Sequence, residues 1–427
     1  MSVIRILRHT EAGELLSRLA ARSVAFDAEL LAQVSDIINN VRQRGDAALV
    51  DYTRRFDGVE LEGLRVSEAT LRNSAAQVDE EVLAALRLAI ENVKAFHERQ
   101  LEASWEFSPV EGVRLGQRIT PLECVGLYVP GGTAAYPSSI VMNVVPAQVA
   151  QVQRIVVTTP PRTLAENPAI AAALLELNVS EIYAVGGAHA IAALAFGTET
   201  IPRVDKITGP GNKYVAAAKK LLFGVVGIDA IAGPSEIVIV ADQTARAEFV
   251  AADLLAQAEH GEDASAVLIT TDEELAERVA AAIVSQAEML PRRGIIQSSL
   301  RNYGAIVLVD TVAQACELVN KLAPEHVEII TSDDEALAEQ IKHAGAIFLG
   351  AYTPEAIGDY MAGPNHVLPT GRTARFSSAL GVYDFVKRTS QLRYSPGAFK
   401  AVAQSVSVLA QCEGLAAHAR SATIRKE

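Results

Sequence analysis

The chain has 427 residues, 50% of them apolar and 21% charged, with a formal net charge of −13. That length supplies core for two or three domains, and the acidity excludes nucleic acid and anionic membranes as partners, because both demand a basic surface. Three widely spaced cysteines, Cys124, Cys316 and Cys412, form neither a zinc-ribbon pattern nor a disulfide framework and fit a reducing compartment.

The opening residues, MSVIRILRHTEAGELL, lack the apolar centre of a signal peptide. The apolar region 140–157 is interrupted by Asn143, Pro146, Gln148 and Arg154, so it is not a membrane span. The expected location is the cytoplasm. Residues 1–21 predict a short strand and a small helix. From Asp27 a helical region runs to about residue 103, broken at Gly45-Asp46 and Asp57-Gly58 and closed by a helix over 80–102. It carries no catalytic pattern and reads as scaffold. Residues 114–121 alternate as an exposed edge strand would.

From Cys124 the pattern becomes strand, glycine turn, helix. Strands are expected over 125–129, 154–159, 181–185 and 204–207. Between them lie Pro130-Gly131-Gly132, Gly186-Gly187 and Gly209-Pro210-Gly211-Asn212, with helices from Ser138, Pro168 and His189. Such alternation implies a parallel sheet with helices on its faces, and ligands bind past the carboxyl ends of such strands. None of the turns is GxGxxG. Gly-Pro-Gly-Asn still permits close backbone approach to a ligand; a purely structural turn is the open alternative.

The stretch 228–261 reads as loop, strand, loop, helix. Ile237 to Ala241 is an apolar, β-branched run, the pattern of a strand buried on both faces. Thr244 is placed to cap the next helix, and Gly261 to stop it at the C′ position. Gln257 and His260, three apart, share a face about 60° wide, where the helix dipole favours a cation. The alternative is the polar end of an amphipathic helix. Further strands over 267–270, 306–309, 327–331 and 346–349, with helices near Asp272, Thr311 and Asp334, make a second α/β unit. Residues 383–395 are polar and basic, and a final helix is expected from Pro396 to about 409. This tail has too little apolar surface to stand alone, so it must pack on the body or on a partner chain.

Among the eight histidines, His9, His97 and His343 lie in polar helical contexts. Glu325-His326 sits where Pro324 ends a helix and a strand begins. A carboxylate beside an imidazole suits a general-base pair, and a solvated turn is the other reading. Asp359 falls in an irregular loop, 358–366, after a strand. Glu413 and His418 are five apart, about 140° around an ideal helix, so they converge only if Gly414 redirects the chain. With no HExxH and no CxxC, local spacing defines no zinc site, although dispersed His and Asp donors would suit one.

Taken together, these motifs resemble histidinol dehydrogenase, the last enzyme of histidine biosynthesis. They run from Val41-Arg42, Gly45-Asp46-Ala47-Ala48-Leu49 and Phe56-Asp57 through Tyr128-Val129-Pro130-Gly131-Gly132 and Gly209-Pro210-Gly211-Asn212. The family signature is Ala232-Gly233-Pro234-Ser235-Glu236 leading to Asp253-Leu254-Leu255-Ala256-Gln257-Ala258-Glu259-His260-Gly261, and Ala323-Pro324-Glu325-His326 and Asn365-His366-Val367-Leu368-Pro369-Thr370-Gly371 follow. The resemblance implies an NAD-dependent enzyme with one Zn²⁺ per subunit that oxidises L-histidinol to L-histidine in two hydride transfers, through an enzyme-held aldehyde. It puts the zinc ligands at Gln257, His260, Asp359 and His418, and the catalytic pair at Glu325 and His326. Substrate contacts fall on Ser235, Gln257, His260, His326, Asp359, Glu413 and His418. NAD contacts fall on Tyr128 and Asn212, and on His189, which stands where the family usually has glutamine. One imidazole replaces one amide there, so weakened or re-oriented cofactor binding is expected.

The implied fold is α/β: two incomplete Rossmann-like parallel-sheet domains with small N- and C-terminal helical extensions. The boundaries are 1–21 for the N-terminal extension, 22–127 plus 237–379 for the first domain, 128–236 for the second, and 380–427 for an arm that crosses to the partner of a homodimer. That arm would deliver Glu413 and His418 to the partner's site. Competing readings are a same-architecture dehydrogenase of another small amino or sulfonated alcohol, a zinc hydrolase using Glu325 to activate water, and a non-catalytic zinc-binding protein.

Overall fold

The computed structural model describes residues 4–21, 26–131 and 136–426. Gly132, expected in the first glycine turn, lies outside them. In chain order the strands are β1 (Arg5–Arg8), β2 (Trp105–Phe107), β3 (Val113–Pro121), β4 (Cys124–Tyr128), β5 (Arg154–Thr158), β6 (Glu181–Tyr183) and β7 (Lys206–Thr208). They continue with β8 (Gly227–Ile228), β9 (Glu236–Ala241), β10 (Ser265–Thr270), β11 (Ala305–Leu308), β12 (His326–Ile330), β13 (Ala346–Leu349) and β14 (Val386–Tyr394).

Two sheets are wholly parallel. One has five strands in the order β6-β5-β4-β7-β8, the other six in the order β1-β11-β10-β9-β12-β13. Counted within its own unit and leaving out β1, each runs 3-2-1-4-5, one strand short of the six-stranded dinucleotide-binding order. Both are therefore incomplete Rossmann-like sheets. The β9 sequence shows how such a strand is specified. Ile237 and Ile239 pack into one apolar layer and Val238 and Val240 into the opposite one, so the whole strand is buried.

The five-stranded sheet is covered by helices that precede its strands in sequence and by helices that lie between them. The helix Ala28–Arg44, capped by Asp27 through the N–H of Leu30 at 2.6 Å, packs on the helices Gly187–Phe196 and Lys213–Leu222. Glu68–Ala75 packs on Pro168–Glu176, and Glu80–Glu98 on Pro137–Val149. The expected grouping of 22–127 with 237–379 does not match this packing. The amphipathic helices between 28 and 98 close the two apolar layers of the five-stranded sheet. Likewise β1 is no separate extension: it pairs with β11 at the edge of the six-stranded sheet.

Other differences are local. The strand over 114–121 is central, not an edge: β3 lies between β2 and β14 in a small antiparallel sheet. Its outer partner comes from the basic stretch 383–395, whose residues are almost all exposed and so give no burial signal. The helix Ala247–Ala258 has Arg246 at its N-cap. Thr244 instead donates its N–H to Asp242 at 2.9 Å, and Glu259 in right-handed geometry ends the helix two residues before Gly261. A helix over Arg293–Tyr303 was not expected, and the C-terminal arm holds two helices, Pro396–Cys412 and Ala416–Thr423.

Candidate active site

Glu325 and His326 are built by a helix stop. The helix Val312–Leu322 closes on Ala323 in the left-handed region, φ 46°. Pro324 blocks its continuation, and His326 begins β12, paired with Ile237 of β9 and Ala346 of β13. Both side chains are buried, His326 to 4% exposure and Glu325 to 7%, which rules out a solvated turn. The backbone of Glu236 holds the two together. Its N–H donates to Glu325 Oε2 at 3.0 Å, and its carbonyl lies 3.1 Å from His326 Nδ1. A carbonyl can only accept, so Nδ1 carries the proton and Nε2 keeps its lone pair. That Nε2 is buried and has no partner among the described residues. Burial first, then the nearness of His260 and His366, push His326 down to about 3 against the pull of the Glu236 carbonyl, so the ring is neutral. Burial, then the charges of Glu236 and Asp359, hold Glu325 well above the usual carboxylate range.

Beside this pair stands a group of metal-ligating side chains. Gln257, fully buried in the last turn of its helix, has Oε1 3.2 Å from His326 Nδ1 and an Nε2 without a partner among the described residues. His260 follows just past the helix end. Asp359 sits on a short helix, Glu355–Tyr360, not in the irregular loop expected, and one turn earlier that helix carries Glu355. His260, Glu355 and Asp359 each bring a ligand atom within 4.8 Å of the others. Burial raises Asp359 to about 6 and lowers His260, the latter with help from Arg292. His366 adjoins them, Nδ1 3.9 Å from Asp359 Oδ1 and Nε2 3.3 Å from Ser139 Oγ. Imidazole nitrogen with carboxylate oxygen is the donor chemistry of a Zn²⁺ site. The two orphaned, buried carboxylate oxygens of Glu355 are acceptors that a cation would satisfy, so the residues fit the metal.

Ser235, His260, Glu325, His326 and Asp359 line one wall of a cavity of about 650 Å³; Gly131 and the Gly209–Asn212 turn line the other. The first wall lies at the amino ends of β9 and β12, the second past the carboxyl ends of β4 and β7. Only the second follows the usual rule for parallel sheets. Gly131 and Asn212 also line an adjoining cavity of about 920 Å³ that contains Tyr128 and His189. The Tyr128 hydroxyl accepts the Gly187 N–H at 3.0 Å. Asn212 caps the helix Lys213–Leu222 through the N–H groups of Tyr214 and Val215. His189 lies against the rings of Tyr52 and Phe56, at 5.5 and 6.0 Å, and burial lowers it to about 3. Neither of its nitrogens has a partner among the described residues.

Glu413 and His418 are not brought to this cavity within one chain. Glu413 closes the helix Pro396–Cys412, Gly414 turns the chain with φ +72°, and His418 stands exposed on Ala416–Thr423. Gly414 redirects the chain as anticipated, but not toward His260. Glu355 and the Glu236 backbone are features of the candidate site that sequence reasoning missed. Glu355 lies four residues before Asp359, the spacing of one helix face, and that signal is lost when the segment is read as a loop.

A sequence model of the family described as histidinol dehydrogenase matches residues 20–426. The histidinol dehydrogenase of Geobacillus kaustophilus is 55% identical over 395 residues, covering 92% of this chain and 93% of that one. That of Clostridium acetobutylicum is 49% identical over 426 residues, 99% of each chain. The crystal structure of histidinol dehydrogenase from Elizabethkingia anophelis superposes with a TM-score of 0.93 at 34% identity, covering 100% of this chain and 98% of that chain.

Proposed function

This chain belongs to the histidinol dehydrogenase family, and on that premise we propose which of its residues carry each binding and proton-transfer step. It is an NAD-dependent oxidoreductase of histidine biosynthesis, and its substrate is histidinol. One observation carries the assignment of roles: the neutral, buried His326, whose ring lies beside Glu325 and Glu355, with Nδ1 3.8 and 3.7 Å from their carboxylates, and whose Nε2 has no partner among the described residues.

His326 Nε2 takes the hydroxyl proton of the alcohol as its carbon gives up hydride. The aldehyde stays bound in the cavity, which protects it from release. Glu325 takes a proton from the water that adds to it, and His326 takes the proton of the resulting hydrate in the second oxidation. Tyr128, His189 and Asn212 would hold NAD in their cavity, and the cofactor when bound would supply the hydride acceptor for each oxidation. Gln257, His260, Asp359 and His418 would hold Zn²⁺, which when bound would orient the substrate and supply a positive charge that favours ionised Glu325. Ser235 and Glu413 complete the substrate contacts.

His418 and Glu413 reach a site only from a second copy, so the working unit is a homodimer with shared sites. Exposed Val408, Leu409 and Leu415 on the arm support this, because they are apolar surface that a single chain leaves uncovered. No helix among the described residues is long and apolar enough to cross a membrane, and the unpaired cysteines agree with the cytoplasm.

Mixing two inactive variants tests the scheme. His326→Asn should lower turnover by about two to four powers of ten, and His418→Ala should bind metal more weakly and turn over little. Dissociated, mixed in equal amounts and re-associated, they give mixed dimers with one intact site each, and turnover should return to about a quarter of wild type. No recovery in verified mixed dimers would refute the shared site, and a nearly fully active His326→Asn would remove His326 from its role.

A further inference from the structure

Glu355 is the one side chain at this site that the motif resemblance does not account for. It is 2% exposed, yet neither carboxylate oxygen has a hydrogen-bond partner among the described residues. Its Oε1 lies 3.9 Å from His260 Nε2 and 3.7 Å from His326 Nδ1. The ring proton on Nδ1 goes to the Glu236 carbonyl, so His326 does not satisfy it. Glu325 and Asp359 converge on the same space, and no lysine or arginine among the described residues pairs with Glu355 or Asp359. A buried carboxylate persists when it is paired or coordinates a metal, and here the pairing partner is absent from the chain. Meanwhile Glu355, His260 and Asp359 already stand at mutual ligand distance without any residue of the arm.

We propose that Glu355 is a metal ligand internal to the chain, so that His260, Glu355 and Asp359 hold the metal before, and independently of, the partner subunit's His418. This rests on the zinc reading above and extends it. Metal loading then precedes dimer closure. When the arm arrives, its imidazole takes the place of the carboxylate, which is released beside the catalytic His326. Gln257 is placed to assist, since its Oε1 and Glu355 Oε1 both lie within 3.7 Å of His326 Nδ1.

The test is chelator competition for Zn²⁺, and Co²⁺ absorption spectra, on the full chain as wild type, Glu355→Gln, His418→Ala and the double variant. His418→Ala should still bind about one metal per chain, roughly tenfold more weakly than wild type. Adding Glu355→Gln should weaken it at least a further tenfold and change the Co²⁺ spectrum, a loss larger than Glu355→Gln causes alone, the coupling expected of ligands that replace each other. Glu355→Asp in the His418→Ala background, which keeps a carboxylate, should restore part of the affinity that glutamine loses and controls for misfolding. A double variant that binds Zn²⁺ as tightly as His418→Ala overturns the proposal and leaves the zinc reading intact. A wild type that binds no metal overturns both.

Discussion

His189 and His326 are both imidazoles held near 3 by burial, but they stand in different company. His326 has its Nδ1 proton fixed by a backbone carbonyl, which aims the other nitrogen; His189 has no such partner and is held by ring packing on Tyr52 and Phe56. The folded state therefore excludes a proton from His189 that the unfolded chain accepts below its ordinary value of 6.5. With the folded value depressed, stability is complete above that ordinary value and is lost as pH falls from there toward about 3. His189→Gln removes this penalty. Relative to wild type it should gain about 1.4 kcal/mol on going from pH 8 to pH 5.5, read from urea denaturation of both proteins; an equal difference at the two pH values would contradict it. An amide also presents a donor and an acceptor at once to the cavity, so the KM for NAD should fall by roughly threefold or more. The identity of residue 189 was legible from its motif. Its burial against Tyr52 and Phe56 was not, because those rings come from a helix more than a hundred residues earlier. Similarly, Glu325-His326 could be read as a pair, but no local pattern showed that both are buried.

At the scale of elements, the turn after β7 is held by more than its glycines. Gly209 has φ +112°, and a Cβ there would run into the Tyr128 carbonyl oxygen. Its N–H donates to Asp229 at 2.8 Å, its carbonyl accepts from Lys219 at 3.0 Å, and Lys219 and Asp229 form a buried ion pair. This clamp fixes where Asn212 starts the next helix, on the wall shared by both cavities. Gly209→Ala should strain the backbone by about 1–3 kcal/mol and raise the KM for NAD about tenfold in steady-state kinetics. An unchanged KM would show that the turn has no part in cofactor binding. The strand–turn–helix succession was readable because most of the buried strands are short apolar runs rich in β-branched residues, several of them flanked by glycine or proline. The helix carrying Glu355 and Asp359 was not, because six residues with a glycine inside give too little periodicity. β14 was hidden for the opposite reason: its residues face solvent, and only its pairing with β3 makes it a strand.

Over the whole molecule, the site exists because two sheets of the same 3-2-1-4-5 order present opposite edges to one space. The five-stranded sheet offers the carboxyl ends of β4 and β7 with their glycine turns. The six-stranded sheet offers the amino ends of β9 and β12, with Ser235, Glu236 and His326. Strand patterns revealed two α/β units but not this orientation, nor that helices from 28–98 belong to the five-stranded sheet, since both depend on contacts between distant segments. The juxtaposition puts the cavity of Tyr128 and His189, where we propose NAD binds, and the proposed catalytic pair on either side of Gly131 and Asn212, which suits a site that oxidises an alcohol and then its aldehyde without release. The direct check is the number of NADH formed per histidine released when zinc-loaded protein is given L-histidinol and excess NAD. Two NADH per histidine, with no free aldehyde, abolished by chelation and restored by Zn²⁺, is the predicted result. One NADH per substrate with aldehyde accumulating, or the same turnover after complete metal removal, would contradict it.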